Sequence, residues 1–389
     1  MGRARMVEGA HVRTVLAICA LVAVPALAVE PLQAEHATTE TLPPPSPHWV
    51  LVNDANFLGY LDGKVYLFDG DSGKMLGMMS TGGYQNAIEI APNFAAIYSP
   101  NTFYARGAHG PRTDAIVIFE TKQLTSGDDD EIVIPPKRAT GMPERAYSGI
   151  GDDGRFVYVA NMTPATSISV ADVVSRKFLS EVATPGCSLV YPTGNRSVAS
   201  LCGDGTMQTL VFDDKGQVTS RAHTPAFFDP NADPLTEKAS RYKNAWLFVS
   251  FEGYVYPVEF NAGVGTPKPK WSLFSAAERA QGHRVGGGQF TAVHEGKGLL
   301  YVIVNEHGPY SHKTPGEHIW VYDLATKKRT SVIEVGAPVT AIVVTRDAAP
   351  LLFATEFNTP GFRVLDATTG ETKHVITSGP FTPGFPQVP

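Results

Sequence analysis

His318-Ile-Trp-Val-Tyr-Asp323-Leu-Ala-Thr-Lys-Lys328 runs from apolar and aromatic residues into an acid and then a short polar stretch. Arg329-Thr-Ser-Val-Ile-Glu-Val335 then resumes an extended pattern. β-Branched and aromatic side chains pack well on a pleated surface, so both flanks read as strands. The polar stretch between them reads as a tight turn, with Asp323 placed where a carboxylate can accept hydrogen bonds from turn amides.

The same phrase recurs along the chain. VYLFD ends at Asp69, IVIFE at Glu120, ISVAD at Asp172, TLVFD at Asp213, VYPVE at Glu259, IWVYD at Asp323 and FRVLD at Asp366. A spacing averaging about 50 residues, built from short strands, is the mark of a β-propeller with one four-stranded sheet per blade. The copies predict an all-β, seven-bladed propeller of four-stranded antiparallel blades over residues 48–389.

A chain of 389 residues would permit two or three ordinary domains. The repeat overrides that, because a blade buries its faces only against its neighbours. Abundant glycine (37) and proline (30), with only 18% charged residues, suit many strands joined by turns.

The N-terminus reads as a secretory signal over residues 1–28. Arg3, Arg5 and Arg13 supply positive charge, residues 15–24 are apolar, and Ala26-Leu27-Ala28 forms a small-x-small cleavage site. The predicted destination is the periplasm. No run reaches the roughly 18 apolar residues that would indicate a membrane span, so none is expected. The net charge of −6 becomes more negative once three leader arginines are removed, which argues against nucleic acid or an anionic membrane as partner. Residues 29–47, ending in Pro43-Pro44-Pro45-Ser46-Pro47, read as an extended arm without a core of its own.

Beyond the leader only Cys187 and Cys202 remain, and Gly194-Asn195, midway between them, is a natural hairpin turn. A hairpin centred there sets 187 opposite 202. In an oxidising compartment a disulfide is expected. A metal or redox pair is the alternative, although nothing else in the sequence completes either site.

Other signals resolve into scaffold. Gly149-Ile-Gly151-Asp-Asp-Gly154 matches G-x-G-x-x-G, but the strand-like Phe156-Val-Tyr-Val-Ala160 follows where a dinucleotide site needs a helix. Residues 274–284 could form a helical turn. The spacing of His307, His312 and His318 invites a zinc reading, yet His318 opens the repeated strand, so no metal site is expected. Neither a G-x-S-x-G elbow nor a C-x-x-C-H haem site is present. Residues 101–113, rich in Gly and Arg, read as an irregular loop. There Arg106, Arg112 and Asp114 would either bind an anion or form an Arg–Asp pair that stiffens the loop. Aromatic residues at sheet starts, such as Tyr84, would line a pocket or fill gaps between sheets.

This loop resembles the heavy (large, α) subunits of the quinoprotein amine dehydrogenases, the methylamine and aromatic amine enzymes. Their pattern R-x-x-R-G-x-R-[ST]-D corresponds to Arg106-Gly-Ala-His109-Gly110-Pro-Arg112-Thr113-Asp114, with His109 in place of an Arg. Pro135-Pro-Lys-Arg138, Pro164-Ala-Thr-Ser-Ile168 and the stretch from Cys187 to Cys202-Gly-Asp-Gly205 are most similar to the aromatic amine branch. Gly286-Gly287, His312-Lys313 and Ile319-Trp320-Val321-x-Asp323 continue the series. One departure is His283-Arg-Val-Gly286-Gly287, where the family has W-x-P-G-G, a difference that bears on substrate or partner identity.

The resemblance implies a periplasmic α2β2 enzyme that oxidises primary amines to aldehyde and ammonia. Its tryptophan tryptophylquinone cofactor and catalytic base would belong to a cysteine-rich light (β) chain, leaving no catalytic residue and no cofactor here. The heavy chain would hold the light chain and wall the substrate channel with Tyr84 and Asn86. It would also help dock a small blue copper protein, of azurin or amicyanin type, as electron acceptor. Tyr84 stands where the family has Phe, which implies a more polar substrate. Two other readings are a periplasmic propeller that binds a ligand or protein without catalysis, and a propeller lactonase, for which a ring of His and acids at one mouth would be needed.

Overall fold

The computed structural model describes residues 40–389 except 57, 58, 60, 85, 86, 142, 357 and 358. The predicted leader, 1–28, and the arm as far as residue 39 lie outside the described residues. The described end of the arm is docked on the propeller. Leu42 N–H donates to the Lys122 carbonyl at 2.7 Å, and its side chain packs on the cluster of Trp49, Leu51 and Phe94. Prolines keep the neighbouring backbone extended, which presents this single apolar residue to the cluster.

The fold is an all-β propeller of four-stranded antiparallel blades. In one of them Glu89–Ile90, Ala96–Arg106, His109–Glu120 and Glu131–Ile134 lie side by side in sequence order. Among the described residues the strands form six sheets where the repeat predicts seven, because one strand runs through two repeats. Lys328–Val344 pairs with Gly316–Asp323 through its first half (Asp323↔Lys328, His318↔Glu334). Its second half pairs with Leu351–Glu356 (Val344↔Leu352, Val339↔Glu356), so the eight strands from Arg284–Val285 to Thr372–Ile376 join as one sheet. Gly336, at φ +72°, marks the change of direction between the halves.

The first and last described strands close the ring. Pro383–Gln387 pairs with Trp49–Asp54, completing the first sheet. Asn53 Nδ2 donates to Phe385 O at 2.7 Å and Gln387 Oε1 at 2.8 Å, and the Asp54 carboxylate accepts the amides of Phe381 and Thr382. The middle strands of a sheet are buried on both faces: Phe156–Asn161 and Ser167–Asp172 are buried throughout. Their apolar side chains meet the next sheet in clusters such as Phe156, Tyr158, Val170, Val198 and Phe212.

The repeated acids hold the turns. Asp69, Glu120, Asp172, Asp213, Asp323 and Asp366 each accept at least one amide of the turn that follows, as Asp366 does from Thr368 and Thr369 at 2.8 and 2.9 Å. Glu259 differs. Its turn has only two residues, Ala262 and Gly263, both at positive φ, and Asn261 pairs directly with Val264. Such a turn closes through its backbone alone, and Glu259 pairs with Lys268 at 2.7 Å instead.

Gly151 N–H donates to Phe156 O at 2.8 Å and Gly154 N–H to Gly151 O at 2.8 Å, so the glycine-rich stretch is a hairpin turn. Residues 276–280 form a short helix, capped by reciprocal bonds between Ser275 and Glu278. Cys187 and Cys202 pair across Cys187–Gly194 and Ser197–Cys202 and are bonded, S–S 2.03 Å. The hairpin reaches that pairing indirectly: at the turn Gly194 faces Ser197, and two register shifts bring 187 opposite 202. Leu189, at φ +70°, sits in one of them. Both sulfurs are consumed in the disulfide.

Candidate functional site

The predicted irregular loop at 101–113 is a regular hairpin, and Arg106, Arg112 and Asp114 stand on its strands. Thr102 pairs with Asp114, Tyr104 with Arg112 and Arg106 with His109. Thr102, Phe103, Tyr104 and Thr113 favour extended backbone. The departures from regularity fall on Gly107 (φ +67°) and Gly110 (φ +100°), which make the turn and the adjacent register shift. The glycines that suggested a loop are confined to its tip.

At the base of this extension lies a buried polar knot. Asp114, with no exposed surface, accepts Thr102 Oγ1 at 2.8 Å, Arg112 Nε at 2.8 Å and Nη2 at 2.7 Å, and the Arg138 amide at 2.8 Å. Arg112 Nη2 also donates to Arg138 O at 2.7 Å. Burial lowers Arg112, but Asp114 outweighs it and holds the guanidinium above its ordinary pKa. Burial lowers Arg138 to about 10 against the pull of Asp114, so it stays charged. Arg138 Nη2 donates to Tyr84 O at 2.8 Å and to Thr102 Oγ1 at 3.0 Å. The knot therefore fixes the backbone at Tyr84. A carboxylate so fully engaged is no free base; the half-buried Arg112 guanidinium is committed to it, and the buried Arg138 guanidinium to Thr102 and the Tyr84 carbonyl. Arg106, exposed near the hairpin tip, lies outside the knot.

Tyr84 is half-buried at φ +54°, its ring set edge-on to Tyr104 with centroids 6.0 Å apart. Gly82, at φ +79°, lies against Phe103, where a Cβ would come within 2.6 Å of the ring, and Gly83 adjoins Leu61. Phe103 and Leu61 are 37% and 42% exposed. Tyr84, Phe103, Tyr104 and Leu61 thus give this corner an accessible, largely aromatic rim over a rigid base. Asn86 lies outside the described residues. Arg138 was visible in the sequence only as one of the stretches carrying the resemblance, since nothing local marked it as a partner of Asp114.

The remaining candidates are dispersed. His312 stacks on Phe251 at 3.6 Å, and His318 Nδ1 meets Glu334 at 2.6 Å. The His307 amide is held by Asn305 Oδ1 at 3.1 Å. His283, in the stretch that departs from the family, faces Glu306 at 3.2 Å and packs on Trp320. The four tryptophans serve packing. Trp49 lies against Phe94, Trp246 donates to Pro192 O at 2.8 Å, Trp271 lies by Tyr322, and Trp320 sits under Arg329. Among the described residues no helix is long and apolar enough to cross a membrane.

Fold and corner define a propeller scaffold with one rigid, aromatic-rimmed edge. Residues 47–383 match the methylamine dehydrogenase heavy chain (MADH) family, and the chain belongs to it. The methylamine dehydrogenase heavy chain of Methylophilus methylotrophus is 28% identical over 324 residues, covering 82% of this chain and 78% of its own. That of Methylobacillus flagellatus is 28% identical over 312 residues, covering 79% and 76%. The β-propeller domain of Myceliophteria thermophila Cps50 (Swd1) shares the fold alone, with a TM-score of 0.53, 10% identity and coverage of 85% and 99%.

Proposed function

We propose that this chain is the large subunit of a periplasmic α2β2 amine dehydrogenase that oxidises primary amines, of methylamine or aromatic type, to aldehyde and ammonia. In this reading it contributes no catalytic residue. It holds a cysteine-rich light chain that carries the tryptophan tryptophylquinone, and it helps pass electrons to a small blue copper protein. Residues 1–28 direct export, the arm reaches toward the partner, and residues 48–389 form seven blades, the eight-stranded sheet counting as two.

The observation that carries the reading is the Tyr84 corner. Buried ion pairs are weak sources of stability but fix geometry well when every partner is satisfied. Here such a knot holds one backbone carbonyl and the aromatic residue that bears it, beside exposed apolar groups suited to a partner surface. Tyr84 and Asn86 then wall the channel, with the Tyr84 hydroxyl favouring a more polar amine. The test is affinity purification of the mature chain from its host grown on an amine. A stoichiometric small subunit, quinone absorbance and amine-dependent dye reduction are expected. A bare monomer without activity would overturn the assignment.

A further inference from the structure

Edge strands of several sheets, among them Glu89–Ile90, Ser148–Ile150, Ser240–Tyr242 and Thr291–His294, surround two adjoining chambers of about 830 and 440 Å³ that share Arg145, Arg241 and Arg346. The larger chamber is lined by the cations Arg145, Arg241, Lys243 and Arg346 but only the acids Asp152 and Glu295. Asp152 is taken by Arg241, whose Nη2 donates to Oδ2 at 2.8 Å. Glu295 accepts the Lys243 backbone amide at 2.9 Å, while the Lys243 ammonium lies over the Tyr242 ring.

Arg145 and Arg346 are different. Among the described residues neither side chain makes a hydrogen bond or an ion pair, and each charge opposes the other. Arg145 is accessible to solvent although the chamber walls enclose it, so the space before it is open. The acids acting on it from a distance are Glu89 and Glu144. Burial raises Glu89 to about 7 while it accepts Ser148 Oγ at 2.6 Å, and burial together with Glu237 raises Glu144. Neither therefore supplies a full negative charge at neutral pH. Glu237, which lines the smaller chamber, is paired with Lys238 at 2.6 Å. In a chain of net charge −6, two guanidiniums without a directly bonded acid thus face one cavity.

We propose that this axial chamber binds a small, doubly charged oxyanion, of the phosphate or short dicarboxylate class, between Arg145 and Arg346. Guanidinium forks match planar or tetrahedral oxyanions with paired charge-assisted hydrogen bonds. Occupancy would convert a repulsion between like charges into two attractions. The site is separate from the Tyr84 corner and does not rest on amine oxidation.

The test is thermal unfolding and titration calorimetry of the purified protein with inorganic phosphate and with succinate, at ionic strength held constant with sodium chloride. Wild type is compared with Arg346→Gln, Arg145→Gln and, as a control, Arg176→Gln, whose guanidinium pairs with Asp130 elsewhere. One of the anions should raise the midpoint in wild type and R176Q. It should bind R346Q about tenfold more weakly or worse. Without anion, R346Q should be at least as stable as wild type, because a repulsion is removed. If R145Q does not fold, R346Q, a change at an exposed position, carries the test alone. Shifts equal across wild type, R176Q and R346Q, or no larger than chloride gives, would overturn the proposal.

Discussion

Asp114 Oδ2 accepts the backbone amide of Arg138 at 2.8 Å across 24 sequence positions. That bond ties the sheet bearing Glu131–Ile134 to the connection leading into the next one, and Arg138 carries it on to the Tyr84 carbonyl. Three segments distant in sequence are thereby held by one carboxylate.

Asp114→Ala should destabilise the protein by about 3–5 kcal/mol, because it leaves the buried Arg138 and half-buried Arg112 charges without their counterion. Chemical denaturation at neutral pH measures this. Asp114→Asn, which keeps the shape and an acceptor, should cost less. A loss under about 1 kcal/mol for the alanine variant would mean that water replaces the carboxylate and that the knot does not fix the corner.

Tyr84→Phe should leave the knot intact, since Arg138 holds the Tyr84 carbonyl, a backbone group that the substitution keeps. On the proposed function, the purified complex should shift its relative kcat/KM toward less polar amines, because one polar group leaves the channel wall. Unchanged ratios across a series of amines would remove Tyr84 from the channel.

The propeller was legible because its signal is redundant: a strand ending in an acid recurs, and most of these acids cap their turns in the same way. The exceptions have local causes. Glu259 precedes a two-residue turn with positive φ at Ala262 and Gly263, which needs no side-chain cap. The joining of the last two repeats into one sheet was illegible because continuity of Lys328–Val344 is a backbone matter that composition does not record. In the candidate site, Arg112 and Asp114 lie close in sequence and could be paired on paper, whereas Arg138 joins them only after the chain has folded. Glycines 107 and 110 misled the reading of 101–113 because composition averages over a segment while the hairpin needs them at just two positions.

Replacing both Cys187 and Cys202 by alanine should cost about 3 kcal/mol, the scale for opening a loop of this length in the unfolded chain, given a sequence separation of 15. The bond also retains a register that the turn alone does not impose, since two shifts separate Gly194↔Ser197 from Cys187↔Cys202. The hairpin amides of the double variant should therefore exchange faster with deuterium than the neighbouring sheets. Uniform exchange across all sheets would confine the disulfide's effect to the unfolded state.

Glu89 gives stability a pH dependence whose sign is fixed by its environment. Burial raises its carboxyl from 4.5 to about 7, against the opposing effects of Ser148 and Arg145. Below pH 4.5 it is protonated in both folded and unfolded chains, and its favourable contribution is complete. Between pH 4.5 and 7 the unfolded chain ionises while the folded one keeps its proton, so stability falls as pH rises, and above 7 the loss levels off. Glu89→Gln lacks this titration. The difference in unfolding free energy between wild type and E89Q should therefore drift against wild type across that window, by at most about 1.4 kcal/mol per pH unit. Denaturant unfolding at intervals from pH 4.5 to 8 reads the drift directly, with Glu144 and the other carboxyls common to both proteins and cancelling. Parallel curves would mean that Glu89 ionises in the folded chain as readily as in water, and the acid beside Arg145 would then be a full negative charge.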